Sequence, residues 1–474
     1  MKKSKSFPIL LVLVLLIVMY VSVVNARKSY ERKNRAQSHH QQKGRSKGRK
    51  YAPDPDHFSS SAPAPAPSYG SYEPHKPIFD ILSFGAKGDG VSDDSKAFLA
   101  AWKAACKAPG ATVKLPSELK FLIKPITLQG PCMPHLTLQI DGTVIALPSP
   151  SAWSKSNLLQ WINFKLLHDF TIQGTGTVDG QGSGWWDLSQ TQYCTQKRSK
   201  HVPDIKPTAL RFYASYNVTV RDIRIINSPL CHLKFDNSGL VKVNNITISS
   251  PENSPNTDGI HLQNTQDVEI QHSNIGCGDD CVSIQTGCSN IHVHHITCGP
   301  GHGISLGSLG KDKSLACVSN VIVENINIEN ALSGVRIKTW QGGLGSVRNV
   351  SFSSIQVSNV QTPIIIDQYY CDKKACKNHT QAVAISQVKY SQITGTYSVQ
   401  PVHLACSDSV PCTDVNLVDI QLVRSLKSQG FRQPLCWNSY GESQAPLVPS
   451  SINCLQRGSL FKRTARSHEQ YNTC

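Results

Sequence analysis

Asn217-Val-Thr-Val is the first of six short runs in which an Asn or Asp precedes apolar residues at alternate positions. The others are Asn245-Ile-Thr-Ile, Asp267-Val-Glu-Ile, Asn290-Ile-His-Val, Asn320-Val-Ile-Val and Asn349-Val-Ser-Phe. Their first residues are 28, 22, 23, 30 and 29 positions apart, and weaker members follow at Gln387-Val388 and Asp414-Val415. Alternation with period two predicts strands. A spacing that recurs in this way predicts an array in which neighbouring units stabilise one another.

The fold that this array favours is all-β, because helical patterns are almost absent after residue 110. Leucine-rich repeats have a similar period but need recurrent Leu positions and a helical leg. We therefore predict a right-handed parallel β-helix over residues 77–458, with a β-sandwich as the alternative. A helix over Ala97–Cys106, capped by Asp93 or Asp94, is expected to cover the open N-terminal end of the solenoid.

The N-terminus has the pattern of a targeting signal. Three lysines within the first five residues precede an apolar run, Phe7–Val24, which ends in the small-residue sequence Val24-Asn25-Ala26. This order predicts a secretory signal peptide over residues 1–26. The run is long for such a peptide, so an uncleaved membrane anchor is the alternative.

The net charge of +16 is concentrated near the N-terminus. The signal contributes +3 and Arg27–Lys50 contributes +9, which leaves +4 for residues 51–474. A basic arm with so few apolar residues is expected to be disordered, and the Pro-rich linker that follows to residue 76 is expected to be extended. Since a secretory signal argues against nucleic acid, an anionic extracellular polymer is the expected partner of the arm. A cleaved pro-segment or a solvated tail is the alternative, and residues 459–474 are predicted to form a C-terminal tail.

Sixteen cysteines in a secreted chain imply disulfides. Cys371 with Cys376 and Cys406 with Cys412 are close enough in sequence to form small staples. Cys281 and Cys298 lie near one repeat apart and could join neighbouring turns. The chain contains no pair of C-x-x-C motifs at zinc spacing. Four sequons predict surface glycans at Asn217, Asn245, Asn349 and Asn378.

Asp258, Asp280 and His302 are 22 positions apart each time. They lie in Asn256-Thr257-Asp258-Gly259, Gly278-Asp279-Asp280-Cys281 and Gly301-His302-Gly303. If one repeat is one turn of the solenoid, the three side chains stack at the roughly 4.8 Å spacing of adjacent strands. One such Asp is more often an ordinary turn residue. Three positions in register instead indicate acid–base chemistry, because clustered carboxylates repel and one retains its proton to higher pH. The glycines beside His302 are expected to let a substrate approach the backbone.

Arg336-Ile337-Lys338 places two cations on one face of a strand, with Ile337 directed into the core. Like charges side by side are unfavourable unless they share an anion, and an anionic substrate would supply it. The alternative is a merely solvated strand face. The step of 34 from His302 to Arg336 exceeds 22, and an outward loop at Leu309–Leu315 accounts for the surplus.

These four motifs, in this order, resemble the polygalacturonase family, glycoside hydrolase family 28, and its plant members in particular. Ser254-Pro255 and Gly307-Ser308 add to the match, which covers about residues 77–458. The resemblance implies a right-handed parallel β-helix and hydrolysis, with inversion, of α-1,4 bonds between galacturonic acid units. An inverting site holds its carboxylates about 6.5–9.5 Å apart to admit water.

The resemblance also implies a role for each motif residue, without a metal or a cofactor. Asp279 would be the general acid, and His302 would tune its protonation. Asp258 and Asp280 would hold and deprotonate the attacking water. The residues expected to bind substrate are Arg336, Lys338, Asn256 and Tyr370, with Tyr369 as the neighbouring alternative to Tyr370.

The predicted protein is a secreted, monomeric enzyme of the plant cell wall that acts on pectin in wall modification. A pectate lyase-like β-helix enzyme is one alternative, although lyase chemistry needs a calcium-bridged substrate and a cationic base. A non-catalytic pectin-binding wall protein, in which the basic arm makes the contacts, is the other. Endo or exo attack depends on loops at the ends of the groove, which the motifs do not specify.

Overall fold

The structure, a computed structural model, describes residues 76–153, 160–186, 206–372, 376, 379, 381–426, 430–457 and 474. The predicted signal peptide, the basic arm, the Pro-rich linker up to residue 75 and most of the predicted C-terminal tail lie outside these residues. Within the described part of the chain, no helix is both long and apolar enough to cross a membrane.

Short strands dominate the described residues. In chain order they are β1 (Ile78–Asp80), β2 (Asp89–Asp93), β3 (Thr112–Leu115), β4 (Lys120–Leu122), β5 (Ile126–Gln129), β6 (Leu136–Ile140), β7 (Thr143–Ile145), β8 (Gln160–Lys165), β9 (His168–Gln173), β10 (Thr177–Asp179), β11 (Thr208–Tyr213), β12 (Tyr216–Arg221), β13 (Arg224–Ile226), β14 (Leu233–Asp236), β15 (Gly239–Asn244), β16 (Thr247–Ser249), β17 (Ile260–Gln263), β18 (Gln266–Gly276), β19 (Val282–Ile284), β20 (Cys288–Cys298), β21 (Ile304–Leu309), β22 (Leu315–Glu329), β23 (Ser333–Trp340), β24 (Leu344–Val360), β25 (Thr362–Tyr370), β26 (Ala384–Tyr397), β27 (Val402–Ala405), β28 (Cys412–Arg424), β29 (Leu435–Trp437) and β30 (Ser439–Val448).

These strands form two parallel sheets that wind together along the chain. The narrow sheet has 11 strands, β5, β8, β11, β14, β17, β19, β21, β23, β25, β27 and β29. The remaining 19 strands form the wide sheet. Most strands pair with counterparts one turn before and one turn after, as β24 does with β22 and β26, and the strands at the sheet ends pair on one side. This is the predicted parallel β-helix, whose right-handed sense is the one that parallel crossovers adopt.

The Asn and Asp residues of the sequence repeat lie at a bend in the wide sheet. Asn217, for example, has φ of 54°, in the left-handed region that Asn and Asp enter more readily than other non-glycine residues. One column of aligned left-handed residues contains Asn217, Leu240, Asp267, Asn290, Asn320, Asn349, Gln387 and Asp414. A second column, five positions later in each turn, contains Asp222, Asn245, His272, His295, Asn325, Ser354, Gln392 and Asp419.

The structure corrects one member of the predicted repeat. Asn245 belongs to the second column, and Leu240 takes the corresponding place in the first. The first three members of the column are therefore 23 and 27 residues apart, in place of the 28 and 22 read from the sequence. The sequence pattern missed this position because a leucine there carries no turn signal.

Amide ladders connect the first column from turn to turn. Asn290 Nδ2 donates to Asp267 Oδ1 at 2.9 Å, and Asn320 Nδ2 donates to Asn290 Oδ1 at 3.0 Å. Asn349 continues the ladder at 2.8 Å. The sequon residues Asn217, Asn245 and Asn349 are exposed at these bends, whereas Asn378 lies outside the described residues.

Stacked apolar side chains fill the inside of the solenoid. Val218, Val241 and Val268 are in register on successive turns and are buried. Phe212 lies between Phe164 and Phe235, with ring centroids 4.7 Å and 4.9 Å apart. Each fully buried side chain of this size contributes about 1.5–3 kcal/mol to folding, so every turn depends on its neighbours.

The predicted N-terminal helix is present as α1 (Ser95–Ala105), one or two residues earlier than expected. Its buried face includes Phe98 and Trp102. Asp94 precedes the helix, but its carboxylate accepts hydrogen bonds from Lys87 N at 2.7 Å and Gly88 N at 3.1 Å. The role of α1 as a cap of the solenoid stays a prediction.

Six disulfides connect described cysteines, and they include the three pairings anticipated from the sequence. These are Cys281–Cys298, Cys371–Cys376 and Cys406–Cys412. The others are Cys106–Cys132, Cys317–Cys474 and Cys436–Cys454.

Candidate active site

The column at Asp258, Asp280 and His302 precedes three consecutive strands of the narrow sheet. Ile260, Val282 and Ile304 are paired in register, and each of the three column residues lies two positions before one of them. Gly259 N donates to Asp280 O at 2.9 Å across the first step, and Cys281 N donates to Gly303 O at 2.8 Å across the second. The three side chains therefore start from equivalent positions on neighbouring turns.

The glycines of these motifs are required by the approach of one turn to the next. A Cβ at Gly278 would lie 1.9 Å from Ser254 O, and one at Gly303 would lie 2.0 Å from Gly334 O. At Gly301, a Cβ would lie 2.8 Å from Asp279 O. Access for a substrate was the expected reason for the glycines beside His302, but the backbone of adjacent turns already accounts for them.

Asp279 and His302 form a hydrogen-bonded pair. Nδ1 of His302 lies 3.0 Å from Oδ1 of Asp279, and the His302 backbone N–H donates to Asp279 O at 2.8 Å. Asn256 Nδ2 donates to the other carboxylate oxygen of Asp279 at 3.3 Å. Burial acts to raise the pKa of Asp279, but the hydrogen bond and charge of His302, with the charge of Lys338, outweigh it and lower the pKa to about 2.

Asp280 is the most buried carboxylate of the group, with its side chain 3% exposed. Arg336 Nη2 donates to its Oδ1 at 2.7 Å, and Lys338 Nζ donates to its Oδ2 at 3.0 Å. Ser305 Oγ donates to Oδ1 at 2.7 Å and accepts from Arg336 Nε at 3.1 Å. The anion that Arg336 and Lys338 share is thus Asp280, whereas the sequence had suggested that only a substrate would supply one. Ile337 between them is buried, as the alternation predicted.

Asp258 is held by residues that the sequence motifs did not identify. Oδ2 of Asp258 lies 2.8 Å from Nδ1 of His261 and accepts a longer contact, 3.8 Å, from Sγ of Cys231. Its backbone oxygen accepts from the His232 backbone N–H at 2.8 Å. Burial, together with the nearby charges of Asp279 and Asp280, raises the pKa of Asp258 despite the opposing effect of His261.

The sequence contained a signal for two of these additional residues. His261 alternates with buried residues on β17, and Ser305 does the same on β21, so both point outward from the sheet. The register of β17, β19, β21 and β23 puts His261, Ser283, Ser305 and Arg336 in one row. Cys231 gave no such signal, because its approach to Asp258 depends on the course of the preceding turn.

An aromatic and cationic edge adjoins Lys338. Nζ of Lys338 lies 5.5 Å from the centre of the Tyr370 ring. That ring packs edge-on against the Trp340 ring, with the two ring centroids 5.5 Å apart. The predicted outward segment contains a short 3₁₀ turn, Lys311–Lys313, and Lys311 Nζ lies 4.9 Å from the Trp340 ring. Tyr369 interacts with Asp408 instead, so Tyr370 is the tyrosine beside Lys338.

A cleft of about 460 Å³ opens beside His302. It is lined by Glu252, Asn253, Gly301, His302 and Leu332. The cleft gives the His302 side of the acidic cluster open surface on which a chain-like substrate can lie.

Asp279, Asp280 and His302 have metal-ligating atoms within 4.8 Å of one another. Both oxygens of Asp280 are already bound by the cationic groups of Arg336 and Lys338, which would repel a metal ion. The cluster fits proton transfer better than metal coordination, because a carboxylate and an imidazole are hydrogen-bonded to each other beside a second carboxylate and two cations.

Comparison with known proteins identifies the family of the chain. The sequence profile of the Glycosyl hydrolases family 28 matches residues 106–435. A probable polygalacturonase of Arabidopsis thaliana is 41% identical over 387 residues, which cover 81% of this chain and 85% of that protein. A polygalacturonase of Persea americana is 45% identical over 346 residues, covering 72% of this chain and 73% of the relative.

Solved structures share the fold. A polygalacturonase from Erwinia carotovora superposes with a TM-score of 0.62 at 24% identity, covering 77% of this chain and 97% of that one. An endo-xylogalacturonan hydrolase from Aspergillus tubingensis superposes with a TM-score of 0.64 at 21% identity, covering 81% and 99%. At these identities the likeness establishes the β-helix alone. The profile match and the plant relatives establish that the chain is a glycoside hydrolase that belongs to family 28 of the glycosyl hydrolases.

Proposed function

We propose that this enzyme is a polygalacturonase that hydrolyses α-1,4 bonds between galacturonic acid units of pectin. The observation that carries the proposal is the pairing of two carboxylates with different partners. Asp279 lies against His302, and Asp280 lies against Arg336 and Lys338. The first pair can pass a proton between a carboxyl and an imidazole, and the second places a carboxyl group beside two cations.

In this proposal the proton for the leaving glycosidic oxygen comes from Asp279. His302 lowers the pKa of Asp279 in the free enzyme, and its Nδ1, which lies 3.0 Å from Oδ1 of Asp279, is close enough to share a proton with that carboxyl. A bound galacturonate brings a negative charge close to Asp279, and a like charge raises the pKa of a carboxyl. The arrival of substrate would therefore shift the shared proton toward the donor.

Asp280 and Asp258 are proposed to hold and deprotonate the attacking water. Three donors, two of them cationic, hold the carboxylate of Asp280 in a fixed position. Burial favours the neutral form of Asp258, so its contribution depends on pH. Oxygen atoms of Asp279 and Asp280 approach within 4.8 Å, less than the roughly 6.5–9.5 Å typical of inverting carboxyl pairs. Inversion is therefore tested by the anomeric form of the first product, read by NMR.

Arg336 and Lys338 are proposed to bind the galacturonate carboxylate, each with its remaining N–H groups. Tyr370 extends this surface as an apolar face beside Lys338. The side chain of Asn256 contacts the carboxylate of Asp279. These contacts would fix the sugar ring next to the Asp279–His302 pair.

The chain is further proposed to be secreted, to work as a monomer in the plant cell wall and to carry its catalytic domain over residues 77–458. The six disulfides among the described cysteines support an extracellular location. The basic arm, Arg27–Lys50, would bind anionic pectin through counterion release, which salt weakens. Deleting residues 27–50 should abolish salt-sensitive retention on pectin and leave turnover of soluble substrate intact.

The deciding experiment is a product analysis on polygalacturonic acid. The hydrolase releases reducing ends without ultraviolet-absorbing unsaturated products and keeps its activity in chelator. Unsaturated products, or loss of activity in chelator, would support the lyase alternative, and retention on pectin without turnover would support a non-catalytic wall protein. In the same time course, early mid-sized oligomers mean endo attack and monomer alone means exo attack.

A further inference from the structure

A second cluster of ionisable side chains lies on the outer face of the wide sheet, away from the candidate active site. His292 and His294 alternate with the buried Ile291 and Val293 on β20, so both rings point outward. Glu269 on β18 is paired with His292, and Glu324 on β22 is paired with His294. Three consecutive turns therefore contribute two imidazoles and two carboxylates to one patch, which we call the histidine cluster.

The separations within this cluster are those of ligands around one small ion. Nε2 of His292 lies 2.8 Å from Oε1 of Glu324, and Nε2 of His294 lies 3.6 Å from Oε1 of Glu269. Ligands at about 2.0 Å from a tetrahedral zinc are about 3.3 Å from one another. Ligand atoms of Glu269, His292 and His294 all lie within 4.8 Å of one another.

One nitrogen of the cluster has only a long contact to its partner. Nε2 of His294 is buried, and its partner among the residues that the structure describes is Oε1 of Glu269 at 3.6 Å, an ion-pair distance that is long for a hydrogen bond. Its other ring nitrogen, Nδ1, lies 2.8 Å from Nδ1 of the adjacent His295, whose ring stacks on His272 at 4.8 Å. This contact orients His294 with Nε2 toward Glu269. Buried polar nitrogens usually have a close partner, so the long contact at His294 Nε2 leaves a position that a ligand between it and Glu269 can fill.

The cluster offers two imidazole nitrogens and two carboxylates, and a divalent cation would neutralise the charge of the carboxylates. Imidazole and carboxylate together suit Zn²⁺ and Cu²⁺ better than Ca²⁺ or Mg²⁺, which prefer oxygen ligands alone. We infer that Glu269, His292 and His294, with Glu324 as a fourth ligand, form a binding site for a divalent transition-metal ion. On binding, Nε2 of His292 gives up its proton to solvent, and its lone pair goes to the metal.

The ion would act on the turns that carry the active site. β18 runs into the turn with Asp279 and Asp280, β20 into the turn with His302, and β22 into the turn before Arg336. A ligand from each of these three strands would tie them together on the opposite sheet. Because the ion binds only the folded chain, it would also raise the free energy of unfolding.

The test is a calorimetric titration of Zn²⁺ into the full-length protein after chelator and dialysis. The expected result is one equivalent bound, with the affinity lowered by about 100-fold or more in His292→Gln/His294→Gln. His168→Gln is the matched control, because His168 is an exposed histidine on β9 of the same sheet. His302→Gln tests the active-site cluster and should leave the stoichiometry unchanged.

A spectroscopic readout distinguishes ligation from loose surface binding. One equivalent of Cu²⁺ should give an electron paramagnetic resonance spectrum with coupling to two imidazole nitrogens, and the double variant should lose it. Circular dichroism and turnover of polygalacturonic acid verify that the double variant is folded. Unchanged Zn²⁺ affinity in the folded double variant would overturn the inference, as would loss of the site in His302→Gln, or no binding at millimolar Zn²⁺. Any of these would leave the polygalacturonase proposal untouched.

Discussion

The turns before the narrow sheet and the bends of the wide sheet contain the same residue types, but these residues have different roles in the two places. In the wide sheet, Asp267, Asn290 and Asn320 are exposed and hydrogen-bond one another from turn to turn. In the narrow-sheet turns, Asp258, Asp279 and Asp280 are mostly or fully buried and face histidines and cations. Both sets repeat with the solenoid. Burial and the neighbouring charges, rather than the repeat, make one set a structural ladder and the other a reactive site.

The comparison predicts its largest effect for Asp279→Asn. If the narrow-sheet carboxylate supplies the proton, kcat on polygalacturonic acid should fall about 10²–10⁴-fold, because a general acid contributes that much. Asp267→Asn makes the same chemical change at an exposed bend of the wide sheet and should leave kcat unchanged. Release of reducing ends measures both. Equal activity of the two variants would remove Asp279 from the proton-transfer step.

The second effect concerns stability. Lys338→Met leaves the buried carboxylate of Asp280 with one cation fewer, and breaking a buried pair costs about 3–5 kcal/mol of unfolding free energy. The control is Lys124→Met, which breaks a pair with Asp93 whose side chains are 53% and 31% exposed. Such exposed pairs contribute about 0–1 kcal/mol. Urea unfolding of both variants should give clearly different midpoints, and equal losses would contradict the contrast in burial.

The third effect is a pH dependence of stability with opposite signs at two carboxyls. The pKa of Asp279 is lowered from 3.8 to about 2, so its stabilising effect is present above pH 3.8 and is lost as the pH falls toward 2. That loss amounts to about 2 kcal/mol and should be absent in Asp279→Asn.

The pKa of Asp258 is raised, so its stabilising contribution to the free energy of unfolding is present below pH 3.8. That contribution is lost as the pH rises through the raised pKa. Asp258→Asn should therefore gain stability relative to the native enzyme at neutral pH while losing activity. Urea midpoints between pH 2 and 7 measure both slopes. Parallel curves for the native enzyme and both variants would contradict this assignment.

The smallest effect is expected in the wide-sheet ladder. Asn320→Ala removes two ladder hydrogen bonds and puts a less tolerant residue at φ of 57°, which should cost about 1–2 kcal/mol. Asn320→Gly loses the same hydrogen bonds but accepts the backbone conformation, so it should cost less. Thermal unfolding ranks the two variants, and kcat should stay native in both. A fall in kcat would mean that the ladder positions the catalytic turns.

Much of the fold was predictable because strand alternation and left-handed turn residues are local properties. The runs beginning at Asp267, Asn290, Asn320 and Asn349 all mark the same bend of the wide sheet. The prediction failed where the locally informative residue was absent, at Leu240, and Asn245 was assigned to the wrong bend for that reason. Three of the six disulfides were anticipated, because their partners are close in sequence or one repeat apart. The pairing of Cys317 with Cys474 depends on where the chain end returns, which no local pattern encodes.

The candidate site was likewise predictable from the sequence only in part. The spacing of 22 residues is a property of the sequence. It was enough to predict that Asp258, Asp280 and His302 occupy equivalent positions on neighbouring turns. The contacts of His261 and Cys231 with Asp258, and of Arg336 and Lys338 with Asp280, required the geometry of the turns. The sequence also suggested that one carboxyl would keep its proton to higher pH. In the free enzyme it is Asp258, rather than the proposed acid Asp279, whose pKa is raised.

The sequence by itself determined the β-helix, the order of the four motifs and the family, because alternation, turn residues and motif spacing act over short stretches of chain. Only the tertiary structure decided which charges meet and how much water reaches them. Neighbouring charges and burial set the pKa of Asp258 and Asp279. The meeting of charges also makes Asp280 the shared partner of two cations. Both effects depend on side chains that arrive from turns as many as 58 residues apart, so no local reading of the chain could supply them.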